Sequence, residues 1–139
     1  VSSTEFQVAG VTFRNDDGSD RQQILRSLLG RSLPFPLVLR RDPGNRYDAN
    51  AIAICDEQGR QIGYVPREHA GTLASLLDRG VSAQAEAIQR SESRECIGLR
   101  VRIRVHEPPG APAPQATGCL LLLGCALGSL LGLLVAFLY

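Results

Sequence analysis

The residues that could do chemistry cluster in one run, Leu39-Arg40-Arg41-Asp42-Pro43-Gly44-Asn45-Arg46-Tyr47-Asp48-Ala49-Asn50-Ala51-Ile52-Ala53-Ile54. Asp42, Pro43, Gly44 and Asn45 are turn formers, and they set Tyr47 among Asn45, Arg46, Asp48 and Asn50. Apolar segments on both sides predict strands, so the loop presents its polar side chains from a rigid base. Read alone, the run is also a strand connection with Asx-type caps. A single-stranded nucleic acid needs aromatic faces beside Arg and Asn, because bases stack and guanidinium groups hold phosphates. Phe13, Tyr47 and Tyr64 are the candidate stacking residues. Asp48 is a lone acid in a polar loop. With no Ser/His/Asp set, phosphate loop or carboxylate pair in a usable frame, the chain reads as a binder and not an enzyme.

Composition bounds the partners. The chain has 139 residues, enough for one domain and an appendage. Its 15 basic residues are all Arg, its acids number 14, and all of them precede Pro108. A protein that holds long duplex through phosphates alone is usually more basic, so any nucleic-acid site must be local. Cys55, Cys96, Cys119 and Cys125 form no CxxC pair, and His69 and His106 add no ligand spacing. No metal site and no cofactor is expected, and buried free thiols in a reducing compartment fit the cysteines.

Periodicity defines the elements that must carry the loop. Phe6, Val8, Val11 and Phe13 predict a first strand over Glu5 to Phe13, with Gly10 at a bend. Asp20 with Gln23 three residues on is a capping-box pattern, and Ile24, Leu25, Leu28 and Leu29 share one face of a short helix ended by Gly30. Strands are expected over Leu33–Arg41, Ala51–Cys55 and Gln61–Val65. Pro66 suits the first helical position, and Ala70, Leu73, Ala74 and Leu77 form an apolar stripe closed by Gly80. A hairpin of Ala83–Gln89 and Ile97–Val105 completes the domain. Arg100, Arg102 and Arg104 alternate with its core residues, as a solvated outer face or as a basic stripe for phosphates. The expected fold is mainly β with two short helices, a small OB-like barrel over residues 1–106.

A Pro-rich spacer, residues 107–117, comes next. Extended at about 3.1 Å per residue, it would hold the barrel on the order of 30 Å from the C-terminal segment. Cys119 to Tyr139 carries no charge. As a helix it would span about 32 Å, the thickness of a bilayer's hydrocarbon core. A single transmembrane helix is therefore expected over 118–139, as a tail anchor in membrane lipid with the domain on the cytoplasmic side. Gly124, Gly128 and Gly132 recur every four residues, a small-residue strip suited to a homodimer or a partner helix.

Together, "RRDPGNRYDANAIAI" and "QIGYVPREHA" resemble the HIRAN domain, a small β-barrel module found in some DNA-remodelling helicases and as short bacterial proteins. The resemblance runs from about Phe6 to Arg104 and, taken with the uncharged C-terminal run, reads as a short bacterial member with a transmembrane tail. It implies binding of the 3′ end of single-stranded DNA. In that reading Tyr47 and Phe13 flank the terminal base, Asp48 accepts from the 3′ hydroxyl, and Asn45 fixes the terminal nucleotide. Tyr64 and Arg67 would contact the neighbouring backbone. Two departures stand out: Thr12 sits where helicase examples carry a basic residue, and Phe13 replaces a tyrosine. The alternative function is a membrane-anchored protein-interaction module that binds no DNA.

Overall fold

Period-two hydrophobic segments and two short amphipathic ones build the chain, whose computed structural model describes residues 2–107. In order, the described elements are β1 (Ser2–Gln7), α1 (Arg21–Ser27), β2 (Phe35–Arg41), β3 (Ile52–Cys55), β4 (Gln61–Tyr64), α2 (Arg67–Asp78), β5 (Ser82–Glu92) and β6 (Ile97–His106). The expected membrane helix with its three glycines, Cys119 and Cys125, and the spacer beyond residue 107 lie outside the described residues. Among the described residues, no helix is long and apolar enough to cross a membrane.

The strands form one antiparallel sheet in the order β1-β6-β5-β2-β3-β4. Its curl comes from β2, which changes partner halfway. Phe35 to Leu37 pair with β5, and Val38 to Arg41 pair with β3. A strand shared in this way turns a corner between two parts of a sheet. The two ends of the sheet then meet. Ala9, just past β1, and Tyr64, at the end of β4, exchange two backbone hydrogen bonds of 2.9 Å each. Phe6, Leu25, Phe35, Ile52, Ile54, Ile62, Val101 and Ile103 fill the interior. All of β3 is buried, which explains its unbroken apolar run.

Several elements depart from the sequence expectation in informative ways. The first strand stops at Gln7, well short of Phe13. Gly10 has a φ of 71°, and the Phe13 amide donates back to its carbonyl, so the chain turns out of the sheet there. Helix α1 is capped by the Asp20 carboxylate, but on the amide of Gln22. The Gln22 side chain reaches away from the helix, donating to the carbonyls of Val11 and Ile97 and accepting from the Ile97 amide. Pro66 is the N-cap of α2, one residue before the expected position. Cys55 is buried in β3, where burial pushes its thiol up, whereas Cys96 falls in the turn of the last hairpin.

Arg100, Arg102 and Arg104 lie on the outer face of β6, flanked by Glu5 of β1 and Glu86 of β5. Arg102 contacts both glutamates, and its hydrogen bond is the main reason Glu5 is held below its ordinary pKa. The stripe is a charge-balanced ladder across three strands. A second ion pair ties the end of β2 to the end of α2: Arg41 donates to both oxygens of Asp78 at 2.9 and 3.2 Å. That hydrogen bond holds the Asp78 carboxyl below its usual range.

This framework can be tested at its closure and at its ion pairs. A Cβ on Gly63 would strike Val8 Cγ1 and lie 2.5 Å from the Ala9 carbonyl oxygen. Gly63→Ala should therefore destabilise the domain by roughly 1–3 kcal/mol, read as a lower urea midpoint. An unchanged midpoint would mean the two ends of the sheet are not closely apposed in solution. At the ion pairs the probe is acid. A carboxyl whose folded pKa is depressed stabilises the fold above its unfolded value, and that stability is lost as pH falls through the folded value. Asp78→Asn should then melt at a temperature that falls less steeply than the parent's between about pH 5 and about pH 2. Parallel melting curves would show that the Arg41 pair contributes nothing to stability.

Candidate functional site

The loop between β2 and β3 is held by its own side chains and by Arg41, Tyr64 and Arg67 beside it. The Asp42 amide donates to the Ala51 carbonyl at 2.9 Å and closes the loop's base. Asn45 organises the tip: its Oδ1 accepts from the amides of Tyr47 (2.9 Å) and Asp48 (3.2 Å), an Asx turn. Its Nδ2 donates to Asp42 Oδ2 (3.2 Å) and to the Tyr64 hydroxyl (3.3 Å). The same hydroxyl donates to Asp42 Oδ2 at 3.3 Å. Asp48 Oδ1 accepts from the Asn50 amide, which starts the return towards β3. From outside, Arg41 Nη1 donates to the carbonyls of Ala49 and Ala51, and Arg67 Nη2 donates to that of Tyr47 at 3.0 Å.

Opposite this loop stands the turn after β1. The two together frame an open groove of about 890 Å³, lined among others by Gly10, Phe13, Arg21, Asn45, Tyr47 and Tyr64. Phe13 and Tyr47 are conspicuously solvent-facing, 67% and 78% exposed. Both rings line the same groove, which makes them candidates for contact with a ligand. Tyr64 lies deeper, beneath the Arg21 guanidinium, whose carbon is 5.2 Å from the ring centroid.

Of the six sequence candidates, the groove brings together Phe13, Asn45, Tyr47 and Tyr64. Asp48 and Arg67 are not among its lining. They face each other, Arg67 Nε lying 3.9 Å from Asp48 Oδ2, and Arg67 is mostly exposed. Asn45 spends its amide on the loop and on Tyr64, so its evident work is to position Tyr47. The sequence reading missed Arg14, Arg21, Asp42 and Arg46, which also line the groove. Asp42 was legible only as a turn former, and Arg21 only as the first residue of a helix. Neither role hints at Tyr64, which is distant in sequence and reaches them through the closure of the sheet.

The fold has solved counterparts. The crystal structure of the HIRAN domain of human HLTF superposes with a TM-score of 0.55 at 21% identity, covering 74% of each chain. A crystal structure of a protein from Lactobacillus plantarum gives 0.55 at 22%, covering 74% of this chain and 97% of that one. At such identities the likeness speaks to fold alone. In sequence, the chain is 42% identical over 52 residues to the helicase-like transcription factor of Homo sapiens and 40% to that of Oryctolagus cuniculus. Each match covers 37% of this chain and only 5% of the relative's length. The family model described as HIRAN domain matches residues 1–106, the whole stretch that builds the sheet and the groove. The chain belongs to the HIRAN domain family.

Proposed function

We propose that this domain binds the 3′ end of single-stranded DNA in the groove between the Phe13 turn and the Tyr47 loop. The observation that carries the reading is the pair of exposed aromatics that line one groove, with arginines among the lining. Two faces so placed suit an unpaired base, which any nucleotide can offer and a paired duplex cannot. Asp48 supplies the end preference. One of its oxygens holds the Asn50 amide, and the other accepts no hydrogen bond from the described residues, with Arg67 3.9 Å away, leaving it able to accept from a terminal hydroxyl. Arg67, Tyr64 and Asn45 then serve the adjoining nucleotide and the loop that carries Tyr47. Tethering through the uncharged run 119–139, with the domain on the cytoplasmic side and the glycine strip facing a second copy or a partner helix, completes the proposal.

One observation favours a second reading, a membrane-anchored protein-interaction module without DNA binding. The domain is nearly neutral, and the arginines of β6 are matched by glutamates, so no broad phosphate-binding face is present among the described residues. Exposed Tyr and Arg also suit a protein hot spot.

Fluorescence anisotropy of the full chain with a labelled oligothymidine separates the two. Tyr47→Ala and Phe13→Ala should each remove one stack, roughly 1–3 kcal/mol, or about five- to 150-fold in Kd. Parental affinity in both variants would leave the protein-interaction reading standing. A 3′ phosphate places negative charge against Asp48, so a 3′-phosphorylated strand should bind more weakly than a 3′-hydroxyl strand, and Asp48→Asn should erase most of that difference. Discrimination that persists in Asp48→Asn would remove Asp48 from the terminus.

A further inference from the structure

The groove contains a buried positive charge that neither the stacking pair nor Asp48 accounts for. Arg21 is only 6% exposed. Its Nε donates to Asn15 Oδ1 at 2.7 Å and its Nη1 to the Gly10 carbonyl at 2.8 Å, both neutral oxygens. Asn15 is in turn anchored to Ser19 Oγ and to the Gln61 carbonyl at 2.9 Å each, so the guanidinium is held in a fixed orientation. Seven other arginines each face a carboxylate within 4.0 Å, whereas Arg21 faces none among the described residues. Nη2 makes no hydrogen bond of normal geometry to the described residues, although the Tyr64 hydroxyl acts on the guanidinium from nearby. Burying a cation with no carboxylate within 4.0 Å is costly, and the Tyr64 ring and the more distant Asp16 offset only part of that cost. Burial also pulls the Arg21 pKa below its ordinary value, without discharging it. A structural tie within the segment between β1 and α1 would need only neutral donors.

We propose that Arg21 is the groove's phosphate anchor: its Nη2 edge takes an oxygen of the phosphodiester next to the base held between Phe13 and Tyr47. The inference rests on the nucleic-acid reading above and adds a contact to it. The strand supplies the missing anion, and a guanidinium already fixed by Asn15 and Gly10 loses little side-chain entropy on binding. Arg14 and Arg46, against Asp16 and Asp42, complete the charged lining, which carries one net positive charge once Arg21 is included.

The test is the salt dependence of oligothymidine binding by the full chain, from about 50 to about 200 mM salt. Arg21→Gln keeps an amide donor and removes the charge. It should bind roughly tenfold or more weakly and shallow the slope of log Kd against log salt by about 0.7, one phosphate's worth. A folded Arg21→Gln with the parent's affinity and slope overturns the anchor while leaving the nucleic-acid reading intact. A parent that binds no strand overturns both. Should Arg21→Gln fail to fold, the guanidinium nitrogens of the parent decide by NMR. A strand-induced shift of the Arg21 signal that is lost when the phosphodiester next to the terminal base is replaced by methylphosphonate supports the anchor. An unmoved signal overturns it.

Discussion

Two backbone hydrogen bonds between Ala9 and Tyr64 hold the site together. They join the segment just past the first strand to the end of β4, the opposite edge of the sheet, and so bring two loops distant in sequence to face each other. Everything that frames the groove depends on that contact. Phe13 arrives four residues after Ala9, on a turn that Gly10 makes at a φ of 71°, a backbone state that side chains disfavour. Tyr64 itself enters the groove floor and receives the Asn45 amide. The contact is close because Gly63 has no Cβ, and the space one would need is filled by Val8 and by the Ala9 carbonyl. A single glycine in a strand thus sets the distance between the two walls of the groove.

The Tyr47 loop is rigid for a different reason. Its carbonyls and amides are satisfied by Arg41, Asn45, Asp48 and Arg67, with little help from regular ladder pairing. Arg41 matters most, since one guanidinium ties the loop's return to β2 and, through Asp78, to the end of α2. A loop whose backbone is held from several directions can leave the Tyr47 side chain in water on a defined base. That combination is what a stacking platform requires, because a face fixed in advance costs little entropy to use.

Much of this was legible in the sequence, for physical reasons that differ by element. The strands and helices showed because their apolar residues alternate or recur with helical period, as in Leu99, Val101, Ile103 and Val105 on β6. The 42–50 loop showed because its turn formers have local mechanisms: Asn45 and Asp48 bond amides two or three residues away. What stayed hidden was tertiary. The pattern Phe6, Val8, Val11, Phe13 looks like one strand, yet the positive φ at Gly10 takes Phe13 out of the sheet and into solvent. Gln22 and Arg21 looked like ordinary helix-start residues, but each reaches a carbonyl eleven positions earlier. No local rule reports such contacts, since they exist only once the sheet has curled.

The balance of charge then decides where an anion can bind. With nearly equal numbers of guanidinium and carboxylate groups, a domain could scatter its arginines evenly and attract nothing. Here many of them are matched: those on β6 by Glu5 and Glu86, Arg60 by the buried Asp56, Arg31 by Glu57 and Arg41 by Asp78. Matched pairs screen one another and contribute little field at a distance. Of the eight arginines with no carboxylate within 4.0 Å among the described residues, Arg21 is the buried one, and it lines a groove, where a charge acts more strongly on a close ligand than it would at the surface. A near-neutral protein can in this way hold one short anionic segment tightly while ignoring long polyanions. The aromatics act to the same effect, since they need one splayed base and gain nothing from a paired helix. On the proposed reading, geometry and electrostatics therefore favour the same feature, a nucleic-acid end in place of an extended tract.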